Sequence, residues 1–139
     1  MKSNIKFFFI IILVALFSCV NMKSSKQRNL FLSQFFNNEV VHDQLFKYYK
    51  TNQIIIYDKK NLLVENSKTY GNGSKNIIIQ TAKPINENHF IIYSFTLNKN
   101  LASLVLATSD LDYGIIYYLK RDPINDSWLI MNVIPKNSR

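Results

Sequence analysis

The sequence predicts an α+β domain in which an N-terminal helix, or two short helices, packs on a curved antiparallel β-meander. Two observations lead to this prediction. A broad stripe of apolar residues covers the segment 30–50, which is the pattern of an amphipathic helix. From Gln53 onward, β-branched and aromatic runs alternate with short polar segments, which is the pattern of strands and turns. The helical part therefore precedes the sheet and is expected to cover one of its faces.

The helical segment is predicted to be interrupted at Asn37 and Asn38, where the apolar stripe breaks. Asn38 is of a residue type that caps helix N-termini, and Glu39 follows it at the positive end of the helix dipole. Two short helices are therefore the alternative to one continuous helix.

Six runs have the character of strands, and the last four follow one another closely. Their connections have about three to five residues, whereas a parallel crossover needs a dozen or more, so these neighbours are predicted to be antiparallel. The segment 98–100 is predicted to be a tight hairpin turn. The Asn-Gly in segment 70–75 is also interpreted as a hairpin turn, not as a phosphate-binding loop. The predicted strands are 54–57, 77–79, 90–97, 101–108, 114–121 and 128–134.

The order of helix and meander, together with a final strand Asp-Ser-Trp-Leu-Ile at 126–130, resembles small cystatin-like and NTF2-like α+β domains. The resemblance covers residues 30–134 and implies a roll, in which a curved sheet wraps around a helix. NTF2-like enzymes place acidic and histidine residues in the concavity of the sheet. No position of this sequence matches those residues, so the resemblance transfers no catalytic residue.

The N-terminus has the pattern of a secretory signal. Two lysines precede an unbroken apolar run at 7–17, which is too short for a transmembrane helix, since that takes roughly 20 apolar residues. The run leads to Leu-Phe-Ser-Cys at 16–19, which resembles the lipobox of bacterial lipoproteins. The resemblance implies that residues 1–18 are a signal peptide and that Cys19 is lipidated. The alternative is an uncleaved signal anchor with an incidental cysteine.

A lipidated Cys19 predicts a protein held at the bacterial cell envelope, since two or more acyl chains anchor stably. In bacterial lipoproteins, an Asp directly after the lipidated cysteine retains the protein at the inner membrane. This sequence has Val20 there, so the resemblance implies that the protein lies at the outer membrane and faces the periplasm. Residues 19–29 are predicted to be the lipidated cysteine with a basic polar tether. Residues 30–135 form one α+β domain, and residues 136–139 form a polar tail.

The charge of the chain is positive, +8 in the full sequence. Removal of the signal peptide takes away Lys2 and Lys6 and leaves +6. This balance suits contact with anionic lipid or an acidic polymer of the envelope, or it simply keeps the protein soluble. Tyrosines beside lysines can also stack on bases, but an exported lipoprotein rarely meets nucleic acid, so no nucleic-acid partner is predicted.

The residues that could carry chemistry form no complete set. A single Cys excludes an internal disulfide, and His42-Asp43 is interpreted as a polar helix face because too few further metal ligands follow. Asp110-x-Asp112 resembles part of a calcium loop, but a turn capped by aspartates is the preferred interpretation. The sequence also lacks a nucleophile motif. We therefore predict a non-enzymatic protein with no cofactor and no metal, and leave catalytic activity open.

Two functions remain as hypotheses. The first is binding of a protein partner through a sheet face or loops, as an accessory or inhibitor/immunity-like protein. The alternative is a small apolar molecule or a glycan in the concavity of the sheet, with or without hydrolysis; a structural role at the membrane without a specific ligand is the third option. The candidate partner-contact residues, at least two of which are expected to belong to the core, are Tyr113, Tyr117, Tyr118 and Trp128.

Overall fold

The computed structural model describes residues 25–71, 73–85 and 88–137. The chain divides into two compact units, residues 1–30 and residues 31–139. All strands of the described residues belong to the second unit. Within the described ranges, no helix combines the length and the apolar character that a bilayer-spanning helix needs.

The predicted lipoprotein signal falls outside the described residues. This applies to the signal peptide 1–18, to Cys19 and to residues 20–24 of the tether, so all three stay predictions. The last five residues assigned to the tether, 25–29, are helical. At the other end of the chain, the strand that was expected to stop before the polar tail continues to Asn137.

Two helices are present, as the interruption at Asn37 and Asn38 suggested. In the described part of the chain, residues 25–36 are helical and are called helix α1, and helix α2 covers Glu39–Tyr49. Asn38 is the N-cap of α2: its backbone is extended, and its side-chain oxygen accepts a hydrogen bond from the N–H of Val40 at 2.9 Å. The predicted cap is therefore confirmed, and it ends one helix and starts the next because the cap residue leaves helical geometry.

Seven strands form one curled, mostly antiparallel sheet, and the predicted α+β roll is confirmed. The strands are β1 (Gln53–Tyr57), β2 (Lys68–Gly71), β3 (Asn76–Gln80), β4 (Phe90–Leu97), β5 (Leu101–Thr108), β6 (Tyr113–Asp122) and β7 (Ser127–Asn137). Their order across the sheet is β2-β3-β1-β4-β5-β6-β7.

The simple meander is confined to β4–β7. Strand β1 pairs in parallel with both β3 and β4. After β1 the chain forms the β2–β3 hairpin, which lies on one side of β1, and it then crosses to the other side of β1, where β4 begins the meander. Strand β2 was not predicted, since Lys-Thr-Tyr-Gly is short and largely polar. The hairpin turn between β2 and β3 was predicted, and Gly71 pairs with Asn76 at its base.

The core lies between the helices and one face of the sheet, which we call the inner face. Aromatic rings of α1 fill its centre. The ring of Phe35 stands edge-on to Tyr117 with centroids 5.0 Å apart, and the ring of Phe31 stands edge-on to Trp128 at 5.4 Å. Such aromatic pairs add to the stabilisation that burial itself provides. The sheet residues buried on the inner face include Ile54, Ile56, Ile77, Ile79, Phe90, Ile92, Leu104, Leu106, Ile115 and Leu119.

Candidate functional site

The face of the sheet that points away from the core is the outer face. Its residues follow from the alternation of side chains along each strand: in β6, Ile115, Tyr117 and Leu119 are buried, so the residues between them point outward. The outer face of β4–β7 is mostly apolar or hydroxylated; its charged side chains are lysines and, at the end of β6, Asp122. It comprises Ile91, Ser94, Thr96, Leu101, Ser103, Val105, Ile116, Tyr118, Lys120, Asp122, Leu129, Asn132, Ile134 and Lys136.

A groove lies on this face close to the β4–β5 hairpin, with a cavity volume of about 350 Å³. Three large apolar side chains around it are exposed: Leu101 by 55%, Tyr118 by 45% and Met131 by 64%. Such exposure distinguishes the groove from the inner face, where side chains of this size are buried. We call it the outer groove, and its lining residues are Thr96, Asn98, Leu101, Ala102, Ser103, Tyr118, Leu119 and Met131, of which Ala102 and Leu119 are buried.

Strand register brings these side chains together. Ser103 of β5 pairs with Tyr118 of β6, and Tyr118 pairs with Asn132 of β7. The register then shifts, because Leu119 pairs with Ile130 and Met131 is left as the extra residue of a bulge. A bulge redirects the side chain that it carries, and here Met131 lines the groove. Strict alternation from Leu129 also turns Met131 outward, but it would turn Asn132 and Ile134 inward, and the bulge is what brings these two to the outer face.

The hairpin at one end of the groove is held by its own hydrogen bonds. The side-chain oxygen of Asn98 accepts from the N–H groups of Asn100 at 3.0 Å and Leu101 at 2.7 Å. The N–H of Asn98 donates to the carbonyl of Leu101 at 2.9 Å. This confirms the tight turn predicted at 98–100, and it holds Leu101 at the rim with an ordered backbone.

Two exposed lysines lie beside the groove. Lys120 pairs with Leu101 on one side and Leu129 on the other, so its side chain emerges between two exposed leucines. Lys99 is exposed at the hairpin tip. Among the residues that the structure describes, neither ammonium group has an ion-pair partner.

The acidic residues of the nearby β6–β7 turn are engaged within the turn. Asp126 forms an ion pair with Arg121. Asp122 accepts from the N–H of Ile124 at 2.9 Å and from the side-chain amide of Asn125 at 2.7 Å, and these bonds lower the pKa of its carboxyl group. The turn thus holds both carboxylates, and within the described residues neither forms an ion pair with Lys120 or Lys99.

The four predicted contact residues lie in different environments. Tyr118 is exposed and lines the outer groove. Tyr117 and Trp128 belong to the core, and burial raises the pKa of the Tyr117 hydroxyl, so they are not available to a partner. Tyr113 lies at the opposite end of β6, where its half-buried ring stacks on Tyr48 with centroids 4.5 Å apart. The structure thus keeps one of the four at the groove, and the expectation that at least two belong to the core is met.

The polar pairs noted in the sequence have local structural roles. One ring nitrogen of His42 lies 2.7 Å from the carbonyl oxygen of Phe36, which fixes the imidazole beside the helix junction. Asp110 accepts from the hydroxyl of Thr108 at 2.5 Å and from the N–H of Asp112 at 3.1 Å. The predicted aspartate-capped turn is confirmed. In the described part of the chain, no group of three or more potential ligands could hold a metal ion.

A second polar cluster lies around the buried His89. Its carbonyl accepts from the hydroxyl of Tyr49 and from the N–H of Ser109, both at 3.0 Å. Burial raises the pKa of Tyr49 to about 12. These hydrogen bonds connect α2, the start of β4 and the β5–β6 turn. We therefore assign the cluster a structural role.

The chain was compared with protein-family models, curated proteins and solved structures, and none of the three comparisons gave a match. The class of protein is therefore defined by its own architecture, an α+β roll with an exposed apolar groove on the outer face of its sheet.

Proposed function

We propose that this protein is a lipid-anchored, non-enzymatic cell-envelope protein that binds a protein partner through the outer groove. The observation that carries the proposal is the exposure of Leu101, Tyr118 and Met131 around one cavity. Single exposed apolar residues are ordinary, but a contiguous apolar patch with a polar rim is characteristic of an interaction site. Covering it recovers roughly 25 cal/mol for each Å² of apolar surface removed from water.

The side-chain types support a protein as the partner. Tyrosine and methionine are enriched at the centres of protein interfaces, and methionine adapts its shape to the surface it meets. The hydroxyl groups of Thr96 and Ser103 lie on paired positions of β4 and β5 and supply a polar margin. The Asn98 turn holds the rim in place, which reduces the ordering cost on binding.

The membrane part of the proposal rests on the lipobox resemblance at 16–19. Lipidation of Cys19 would hold the domain at the outer membrane, facing the periplasm, where its partner would be another envelope component. Restriction to one surface raises the effective concentration of two such proteins for each other. An accessory subunit or an inhibitor/immunity-like protein fits this arrangement.

The anchor is tested by growing cells with a clickable fatty acid and purifying the protein. We expect label on the native protein, none on Cys19→Ala, and unchanged label on Ser25→Ala, which is the matched neighbouring control. A native protein that carries no label, or a labelled Cys19→Ala protein, contradicts the anchor.

The docking surface is tested by site-specific photocrosslinking in cells. A photoreactive phenylalanine analogue at Tyr118 is expected to give a discrete adduct that disappears when Leu101→Ser and Met131→Ser are added. The same analogue at Tyr48, an exposed tyrosine that does not line the groove, is the control and is expected to give no such adduct. Absence of a groove-dependent adduct at Tyr118 contradicts the proposal.

The alternative of a ligand in the concavity of the sheet is not proposed. In the part of the chain that the structure describes, the inner face is filled by the rings of Phe31, Phe35, Tyr117 and Trp128. A small apolar molecule or a glycan would have to displace close-packed side chains there, and such packing leaves few gaps.

A further inference from the structure

We infer that the outer groove takes an acidic amphipathic peptide segment, which places apolar side chains against Leu101, Tyr118 and Met131 and carboxylates against Lys120 and Lys99. The inference rests on the proposed function and names the chemistry of the partner that the groove selects.

The position of Lys120 is the first argument. Its cross-strand neighbours on the outer face are Leu101 and Leu129, which are both more than half exposed. A partner that covers the leucines must also cover the ammonium group between them. Taking an unpaired charge out of water is costly, so a partner that brings a negative charge to this point is favoured.

The uncompensated charge is the second argument. Lys120 and Lys99 are both exposed, and within the described residues neither pairs with a carboxylate. In the β6–β7 turn, Asp126 pairs with Arg121, and Asp122 is held by the N–H of Ile124, so neither carboxylate forms an ion pair with Lys120. A basic segment would therefore be repelled, whereas an acidic one is attracted and held in one orientation.

The hydroxyl groups that line the groove are the third argument, and they favour a peptide as the partner that brings this charge. The hydroxyl-bearing residues Thr96 and Ser103 pair across β4 and β5 and line the groove beside Tyr118. Hydroxyl groups at this position can bond the N–H and C=O groups of a peptide backbone. An acyl chain offers no such groups, so it would leave these hydroxyls without partners inside the interface.

The test is a selection from a random peptide display library on the full mature protein, purified in mild detergent. We expect the enriched peptides to carry net negative charge and at least two large apolar residues. The selected peptide is expected to bind Lys120→Glu about tenfold more weakly, because like charges then face each other. Binding to Lys136→Glu, the outer-face control at the far end of β7, should be unchanged.

A charge swap makes the test specific. The peptide with its carboxylates replaced by lysine is expected to bind Lys120→Glu better than it binds the native protein. Raising the salt concentration from about 0.05 M to about 0.5 M should weaken native binding, because salt screens exposed charge pairs. Circular dichroism of each variant at 25 °C and during heating excludes loss of folding as the cause.

The outcomes separate this inference from the proposed function. Neutral or basic peptides whose binding is lost in Tyr118→Ser would overturn the acidic partner and leave the docking groove in place. Groove-dependent binding of soluble short-chain phosphatidylglycerol, without any enriched peptide, would replace the peptide by a lipid and overturn the inference. If no ligand of either kind depends on Tyr118, both the inference and the groove fail.

Discussion

The Oδ2 atom of Asp58 lies 2.7 Å from the backbone nitrogen of Leu63 and accepts its hydrogen bond. The same carboxylate accepts from the N–H groups of Leu62 at 2.8 Å and Val64 at 3.0 Å. Asp58 is fully buried at the end of β1, where the chain leaves the sheet. One side chain thus satisfies consecutive backbone donors in a segment without strand pairing, and it anchors Leu63 and Val64 in the core.

Replacing Asp58 by alanine is expected to lower the free energy of unfolding by about 3 kcal/mol or more, because three N–H groups lose a charged acceptor. Urea unfolding followed by circular dichroism measures the change. Asp43→Ala, at an exposed position of α2, is the control and should change stability by no more than about 0.5 kcal/mol. Equal effects of the two substitutions would show that the buried carboxylate contributes nothing special.

The β2–β3 hairpin depends on a glycine that a side chain would disturb. Gly71 has φ +137°, and a Cβ atom there would collide with the carbonyl oxygen of Lys75. Gly73 also has positive φ, +87°, but a Cβ there would meet no described atom within 4 Å. We expect Gly71→Ala to cost about 2 kcal/mol or more and Gly73→Ala about 1 kcal/mol. Thermal unfolding of both variants checks this order, and the reverse order would contradict it.

Tyr117 carries a hydroxyl group that the core does not require. Its oxygen is buried and has no hydrogen-bond partner among the described residues. Since burying an unpaired hydroxyl is unfavourable, Tyr117→Phe is expected to leave stability unchanged or raise it by about 1 kcal/mol.

The pKa of Tyr117 adds an alkaline signature to this prediction. Burial raises that pKa in the folded state, so the native protein should lose stability as the pH rises above about 10, where the unfolded tyrosine ionises. The Tyr117→Phe variant should lose less stability over the same rise in pH. Urea titrations at pH 7 and at about pH 10.5 measure both effects, and a destabilised Tyr117→Phe protein at pH 7 would reveal a hydrogen bond that the hydroxyl makes.

The two capping aspartates predict an acid dependence. The Thr108 hydroxyl lowers the pKa of Asp110, and the N–H of Ile124 lowers that of Asp122. Because each pKa is lower in the folded state, each ionised carboxylate stabilises the fold above about pH 4 and loses this contribution as the pH falls further.

Asp122→Ala should therefore have a lower Tm than the native protein at pH 7, and the difference should shrink at about pH 3. Asn66→Ala, an exposed and non-titrating substitution, is the control, and its Tm difference should not depend on pH in this way. A difference for Asp122→Ala that is constant from pH 7 to acid would rule out the charged cap as its cause.

Local patterns account for the parts of the fold that were predicted. The strands 90–97 and 101–108 were predicted with their observed bounds because β-branched residues and a tight turn delimit them. Asn38 was identified as a cap because its short side chain bonds to a backbone N–H two residues away. In each case the information lies within a few residues along the chain.

The missed parts depend on partners that are distant in sequence. The parallel pairing of β1 with β3 and β4 joins segments separated by a whole hairpin, so no nearby residue encodes it. The unbroken isoleucine runs at 54–56 and 77–79 were one available signal, since strands inside a parallel arrangement are apolar on both faces. Strand β2 has no such run and forms because β3 offers it an edge.

The candidate site shows the same division. The anchor at Cys19 was proposed from the lipobox resemblance at 16–19. Local patterns were sufficient to predict the order of helices and sheet and to include Tyr118 among four candidate contact residues. Only the folded chain decided that Tyr117 and Trp128 are enclosed by α1, and that a bulge at Met131 turns Asn132 to the outer face. Which face of a strand is covered is a property of packing between distant segments, and the outer groove exists because the helices occupy the other face.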